Sequence, residues 1–308
     1  MIQVSCYNCG SRDRAPYATE NGCNLVKCAS CGLLYVNPRP SDEEIEEGVK
    51  LGAHTGERTL HSTGRYTVTK VAMYHKILRD IYGTELQNRE QTWLDVGCGH
   101  GELLAALQEV SRNKVAVRGI EPNRLKIDAA RKRGLDVDYF DLGFHDALYD
   151  SISLLNVYSH LTNPREFLRL VKQRLSPKGE LLLETGDTAS LPANLHPRPF
   201  LLPDHLSFCS EQILTNMLKE TDFEIISVNK YPPLKLRFMK ERILREVVKL
   251  ALPHKRSQIP MMYSWFRVAK YRTDTWIRAR VVTSVGSADK ASRLSASEET
   301  RNGFSSAR

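Results

Sequence analysis

The chain predicts an α/β fold: a mostly parallel, seven-stranded sheet with helices on both faces, behind a small cysteine-bearing N-terminal module. Three observations carry that reading. From Gln91 onward short apolar runs alternate with segments of helical period, the pattern of successive βα units. A glycine-rich turn at residues 97–101 joins the first such run to the helix after it. Two Cys-x-x-Cys pairs lie within the first 31 residues, ahead of the alternation.

Taken in order, residues 1–40 read as a compact, loop-rich module, with Gly10, Gly22 and Gly32 as turn formers and a stop at Pro38–Pro40. Residues 41–49 start a helix, because Ser41 and Glu44 have the spacing of a capping box. A looser stretch runs to Arg65. Residues 66–82 then place Val68, Val71, Met73, Ile77, Leu78 and Ile81 at helical spacing, so 41–90 is a helical linker that covers the site. Strands follow at 92–97, 115–122, 137–141, 149–157, 179–185, 223–233 and 274–282. Helices are expected at 101–110, 123–134, 164–175 and 210–222, the last capped by Ser210. A helical insertion falls near 235–262, so the domain spans 91–284. Residues 285–308, rich in Ser, Ala and charge without periodicity, read as a disordered tail.

Composition narrows the classes. The 308 residues allow one large domain and a small module. With 41% apolar and 26% charged residues the composition is that of an ordinary soluble chain, and no run approaches the ~18 apolar positions that would span a bilayer. The start, MIQVSCYNCG, lacks the charged and apolar regions of a signal peptide, so a cytoplasmic location is expected. Residues 235–308 carry 17 Lys/Arg against 6 Asp/Glu, or +11, while 1–234 carry 27 against 30, or −3. The basic quarter favours an anionic partner or is a solvated face. Within it, residues 236–252 are amphipathic and basic, so peripheral membrane contact through 236–256 is one reading and a core-covering helix the other.

Cys6, Cys9, Cys28 and Cys31 form CxxC-x18-CxxC. Each pair can grip an ion through a tight turn, and four thiolates close a tetrahedron, so a structural zinc site is expected. Metal binding would let a segment with little core of its own fold. Cys23 lacks a partner in register. Cys98 and Cys209 are read as buried or site-lining.

The turn itself runs Leu94-Asp95-Val96-Gly97-Cys98-Gly99-His100-Gly101-Glu102. Glycines between strand and helix let a ligand approach the backbone, and the helix start offers unpaired N–H groups. A dinucleotide fingerprint would need a glycine at position 102, where Glu102 stands. The turn instead resembles the first motif of the class I S-adenosylmethionine methyltransferases, of the form (V/L)-(L/D)-(D/E)-x-G-x-G-x-G. The resemblance implies a Rossmann-like fold and a cofactor site of Asp95, Gly97, Gly99, Gly101, Glu121, Asp141 and Asn156. Glu121, closing the second strand, would accept the ribose hydroxyls, and Asp141 would meet the adenine amino group. Residues 156–185 resemble the family's fourth and fifth motifs, except that Tyr158-Ser159 replaces the usual Leu-Glu.

The cysteine module with its following CGLLYVNPRPSDEEI, and residues 202–225, resemble a group of zinc-containing small-molecule methyltransferases that includes sugar C-methyltransferases. That resemblance implies a small-molecule acceptor, a sugar or a glycan or secondary-metabolite intermediate, anionic or nucleotide-linked. In-line transfer needs alignment, and a hydroxyl or carbon acid also needs a base, for which His is suited. His160 follows the fourth strand. Asp204–His205 stands where the sugar C-methyltransferases have a Glu–His pair, and the two are taken to pair. Tyr158 is a further candidate, and His196 is read as a surface-loop residue near substrate. An RNA methyltransferase is the alternative enzyme, but the cysteine module is not strongly basic and has no aromatic–basic stripe. The Asn/Asp-Pro-Pro-Tyr box of base methylation is absent after the fourth strand. A non-catalytic, cofactor-sensing adaptor is the alternative of another class.

Overall fold

In the computed structural model, the described residues are 1–140, 142, 146–193, 195–232 and 274–282. Asp141, the insertion near 235–262 with its basic segment 236–256, and the tail from 285 lie outside them.

The N-terminal module has more regular structure than its composition suggests. Strands β1 (Arg14–Glu20), β2 (Cys23–Cys28) and β3 (Leu34–Val36) form an antiparallel meander. The hairpin turn is Asn21-Gly22, with φ of 53° and 75°. A two-residue hairpin loop needs positive φ at both positions, which Asn-Gly supplies at least strain. The expected loop-rich module is therefore a small sheet. The cysteine spacing drew the reading toward loops, although Asn-Gly between Thr19-Glu20 and Cys23-Asn24 was a hairpin signal.

Helix α1 (Asp42–Leu51) begins with the expected capping box: Ser41 Oγ accepts from the Glu44 N–H, and the Glu44 carboxylate accepts from the Ser41 N–H. It ends on Gly52 in the left-handed region (φ 64°). The looser stretch contains a minimal hairpin, β4 (Ala53–His54) and β5 (Leu60–His61). Helices α2 (Val68–Tyr82) and α3 (Glu85–Asn88) lead into β6 (Gln91–Val96), α4 (Glu102–Ser111), β7 (Val115–Glu121), α5 (Arg124–Arg131) and β8 (Val137–Tyr139). The chain returns through β9 (Tyr149–Leu155), α6 (Pro164–Gln173) and β10 (Leu175–Gly186). It ends with β11 (Ser207–Phe208), α7 (Glu211–Glu220), β12 (Phe223–Tyr231) and β13 (Asp274–Val281).

The main sheet has the order β12-β13-β10-β9-β6-β7-β8, and β13 alone among its described strands runs antiparallel to both neighbours. Its central strands are buried on both faces. Trp93, Leu182 and Trp276 pack under α2 and α4. Leu94, Leu154 and Leu183 pack on the opposite face with α6, α7 and the cysteine module. Because β7 lies on one side of β6 and β9 on the other, the chain changes direction at β6, where open α/β sheets collect ligands at the carboxyl edge.

The cysteine module does not stand apart. Two-residue β11, from the loop before α7, pairs with β3 and completes the order β1-β2-β3-β11. Cys6, Cys28 and Tyr35 share one core with Tyr158, Cys209 and the main sheet. The module thus borrows the core that its own length cannot supply.

Candidate functional site

The glycine turn leaves β6 with Gly97, Gly99 and Gly101 all at positive φ, at 69°, 58° and 86°. Their surroundings differ. A Cβ on Gly97 would lie 2.8 Å from Val157 Cγ2 and one on Gly101 would push the Leu135 side chain aside, and at both positions the positive φ strains any other residue. A Cβ on Gly99 would meet nothing within 4 Å, so this residue faces open space. Gly101 caps α4, whose N-terminus faces the turn.

Two buried carboxylates flank the turn. Glu121, at the end of β7, accepts the Gly99 N–H at 2.9 Å and the Asn123 N–H at 3.1 Å, with Lys126 Nζ 3.8 Å away. An ionised carboxylate has about four acceptor sites, so capacity remains for ligand hydroxyls. Asp95 accepts a 2.6 Å bond from Ser153 Oγ, which in turn accepts from Trp93 Nε1 at 2.9 Å. Burial pushes its pKa up to about 7; the Ser153 bond works against this and the charge of Glu121 adds to it. Such a carboxylate is set to receive a cation. Asn156, with φ of 57°, ends β9 exposed at the same edge. An open glycine, a helix start and two buried carboxylates are a donor set that fits an aminoacyl-nucleoside cofactor; Asp141 lies outside the described residues.

The segment 50–63 crosses this edge. Lys50 O accepts from Asn123 Nδ2 at 3.1 Å, and Thr63 O lies 3.0 Å from His100 Nε2. Between these two anchors His54, 4% exposed, puts Nε2 3.0 Å from Asp204 Oδ1. A Cβ on Gly48 would lie 2.6 Å from His54 Nδ1, so that glycine makes room for the ring. The sequence reading missed His54, since one histidine in an unpatterned stretch carries no signal for a partner 150 positions away.

Asp204 is the hub. Its Oδ1 lies 3.1 Å from His160 Nδ1, and its backbone carbonyl lies 2.8 Å from the same nitrogen. Burial opposes the Asp204 charge, but His160 and His54 hold its carboxyl well below the usual carboxylate range. Burial likewise opposes the imidazolium of His160, and Asp204 overrides it to raise that pKa. The ring of His205 stands edge-on to that of His160, with centroids 4.9 Å apart, and its Nδ1 lies 2.9 Å from Phe200 O. Asp204 thus meets His160 and His54 at close range, while His205, its neighbour in sequence, stays within 4.8 Å, adds to the field that lowers the Asp204 pKa and sets Nδ1 against Phe200 O. Lys126 links cluster and cradle, acting on both His160 and Glu121.

Two other candidates move away from the edge. Tyr158 is 1% exposed in the core shared with the cysteine module. His196 is not a surface residue: it is 3% exposed among Tyr17, Phe200 and Phe208, and burial lowers its pKa to about 4. The proline-rich loop folds inward against β1 because its aromatic residues find a partner face there.

Cys6, Cys9, Cys28 and Cys31 converge, with all four sulfurs within 4.8 Å of one another. The Cys6–Cys31 and Cys9–Cys28 pairs are 3.5 Å apart. That is far beyond a disulfide bond of ~2.05 Å and close to the ~3.8 Å edge of a tetrahedron with ~2.3 Å metal–sulfur bonds. Burial opposes the Cys28 thiolate, yet backbone N–H groups of Cys31 and Ser30 and the neighbouring thiols bring its pKa down to about 7. The donor set fits zinc. Cys23 lies on β2 with its thiol toward Asn21 O, and Cys209 turns toward Gly186 O.

Comparison with known proteins agrees with this geometry. A family model described as a methyltransferase domain matches residues 72–228. A ubiquinone biosynthesis O-methyltransferase of Rickettsia prowazekii is 31% identical over 97 residues, 30% of this chain and 38% of the relative. That of Rickettsia typhi is 30% identical over 133 residues, 42% of this chain and 50% of the relative. The chain thus spans half or less of the length of these two relatives. Among solved structures, a geranyl diphosphate C-methyltransferase from Streptomyces coelicolor A3(2) superposes with a TM-score of 0.53 at 12% identity, covering 68% of this chain and 79% of that one. A phosphoethanolamine N-methyltransferase of Haemonchus contortus gives 0.51 at 17% identity, covering 69% and 52%. At such identities the likeness is one of fold. The family match covers residues on both sides of the glycine turn and both buried carboxylates, and by it this chain belongs to the methyltransferase-domain family.

Proposed function

We propose that the protein transfers a methyl group from S-adenosylmethionine to a hydroxyl oxygen of a small-molecule acceptor, with zinc in the four-cysteine site as a structural ion. One observation carries the reading: the glycine turn, Asp95 and Glu121 meet at the switch point of the sheet, and a histidine–aspartate cluster sits at the same edge under segment 50–63. Oxygen is favoured as the acceptor atom because the curated relatives are named for O-methylation. The likeness of residues 202–225 to sugar C-methyltransferases keeps a sugar acceptor as the second reading.

S-adenosylmethionine, when bound, supplies an electrophilic methyl group on a sulfonium. The rest falls to this chain. Gly97, Gly99 and Gly101 would give the backbone close approach, Glu121 would hold the ribose hydroxyls, and Asp95 would answer positive charge. Asn156 is proposed to line the same mouth. Segment 50–63 would exclude water, and alignment under it is worth much of the barrier. His160, His205 and Asp204 would take up the acceptor's proton or polarise its oxygen. With Nδ1 of both rings set against carbonyl oxygens, their basic nitrogen is Nε2.

The test is methyl transfer from labelled S-adenosylmethionine to a panel of catechols, phenols and nucleotide sugars, with calorimetry of cofactor binding. Glu121→Ala should weaken the cofactor roughly ten- to a hundredfold, as loss of a charged hydrogen bond costs about 1.5–3 kcal/mol. His205→Ala should keep the cofactor and lose about 10²–10⁴ in turnover. Wild-type affinity in Glu121→Ala would remove the cofactor assignment.

A further inference from the structure

We infer that His160, Asp204 and His205 bind a divalent transition-metal ion at the acceptor end of the site, separate from the four cysteines. One ring nitrogen of each histidine and a carboxylate oxygen of Asp204 lie within 4.8 Å of one another, the only such grouping besides the cysteines among the described residues. Two imidazoles and one carboxylate are the ligands of zinc, cobalt(II), nickel(II) or iron(II), and they suit magnesium or calcium poorly. Three protein ligands leave coordination positions open, the mark of a reactive rather than a structural site.

The surroundings of the three donors include a feature of metal sites. Ligating histidines anchor their second nitrogen on a carbonyl or carboxylate, which fixes the ring and makes the other nitrogen the donor. His205 has that anchor, its Nδ1 lying 2.9 Å from Phe200 O, whereas His160 faces the Asp204 carboxylate with Nδ1, 3.1 Å from Oδ1 and 2.8 Å from the Asp204 carbonyl. The carboxylate is oriented by His54 as well, whose buried Nε2 lies 3.0 Å from Oδ1. The neighbouring Lys126 has Glu121 at 3.8 Å to offset its charge. His160 and His205 remain partly exposed, so an ion and an oxygen ligand can reach them.

An open position here would take an acceptor oxygen and lower its pKa, which fits adjacent hydroxyls or a hydroxyl beside a carboxylate. That role rests on the methyltransferase reading; the binding of the ion does not.

The experiment titrates the full chain, its cysteines already loaded with zinc, with cobalt(II), followed by visible absorption and calorimetry. A second equivalent should bind with ligand-field bands and without cobalt–thiolate charge transfer. Asp204→Asn and His205→Gln should each abolish it, while Glu121→Ala, outside the cluster, should retain it. His54→Gln, which loosens the carboxylate without removing a donor, should weaken it ~10–100-fold. Normal cofactor binding in Asp204→Asn or His205→Gln verifies the fold of each variant. Absence of a second equivalent in a wild-type chain that binds cofactor overturns the metal site and leaves the methyltransferase reading intact. Undiminished cobalt binding in both variants overturns it as well. Failure of wild-type cofactor binding would instead strike the methyltransferase reading.

Discussion

Asp95 shows how much a single side chain can report. Burial raises its pKa to about 7, so the ligand-free protein holds more protons there than the unfolded chain does between about pH 4 and 7. The sign follows: its contribution to stability is full below the unfolded pKa and is lost as pH rises through the folded value. Binding of a cationic cofactor should run the other way. Affinity should climb with pH by up to about tenfold per unit below pH 7, then level off as the carboxylate ionises. Asp95→Asn should flatten that climb, and calorimetry from pH 5.5 to 8.5 would measure it. An equal slope in both proteins would remove Asp95 as the group responsible. Asp95 was legible in the sequence because its spacing to the glycines is local. Its Ser153 and Trp93 support was not, since those bonds join neighbouring strands whose order only the folded sheet reveals. His54 was illegible for the same reason, as were the contacts of Asp204 with His54 and His160, which join positions far apart in the chain.

At the scale of elements, periodicity and caps carried far. Ser41–Glu44 and Ser210 mark helix starts in the sequence and in the structure, because a cap is a contact three residues long. Two-residue strands such as β4, β5 and β11 have no period to detect, yet β4 and β5 fold segment 50–63 into a hairpin and β11 ties the cysteine module to the loop that carries Asp204 and His205. The module's dependence on metal can be tested directly. Its sheet has three short strands and one borrowed pair of residues, so four uncoordinated thiols leave it little to hold the turns at Cys6–Cys9 and Cys28–Cys31. Cys9→Ser or Cys28→Ser should release the one zinc expected per chain and lower the unfolding temperature, as metal binding is folding energy in such modules. Metal analysis of freshly purified wild type without zinc in the cysteine site would end that assignment.

Over the whole molecule, the shared core predicts that the two sheets unfold as one cooperative unit. Tyr35 and Cys28 of the module pack with Tyr158 and Cys209 of the main domain, and β11 hydrogen-bonds to β3 while its chain carries Asp204 and His205 immediately before it. Loosening the module should therefore disturb the histidine–aspartate cluster, and filling the proposed cofactor site should protect the module. A ligand at a hundred times its Kd stabilises the native state by about 2.7 kcal/mol, and in a cooperative molecule that protection reaches the proposed zinc site as well. Unfolding followed by tryptophan fluorescence in a Trp265→Phe background, where Trp93 and Trp276 report from the main sheet, should coincide with zinc release measured by a chromogenic chelator. S-adenosylmethionine should shift both curves upward together. If zinc left well before the fluorescence changed, or if cofactor moved only the fluorescence curve, the cysteine module would be an independently folding unit. The route from module to cluster through β11 would then be broken.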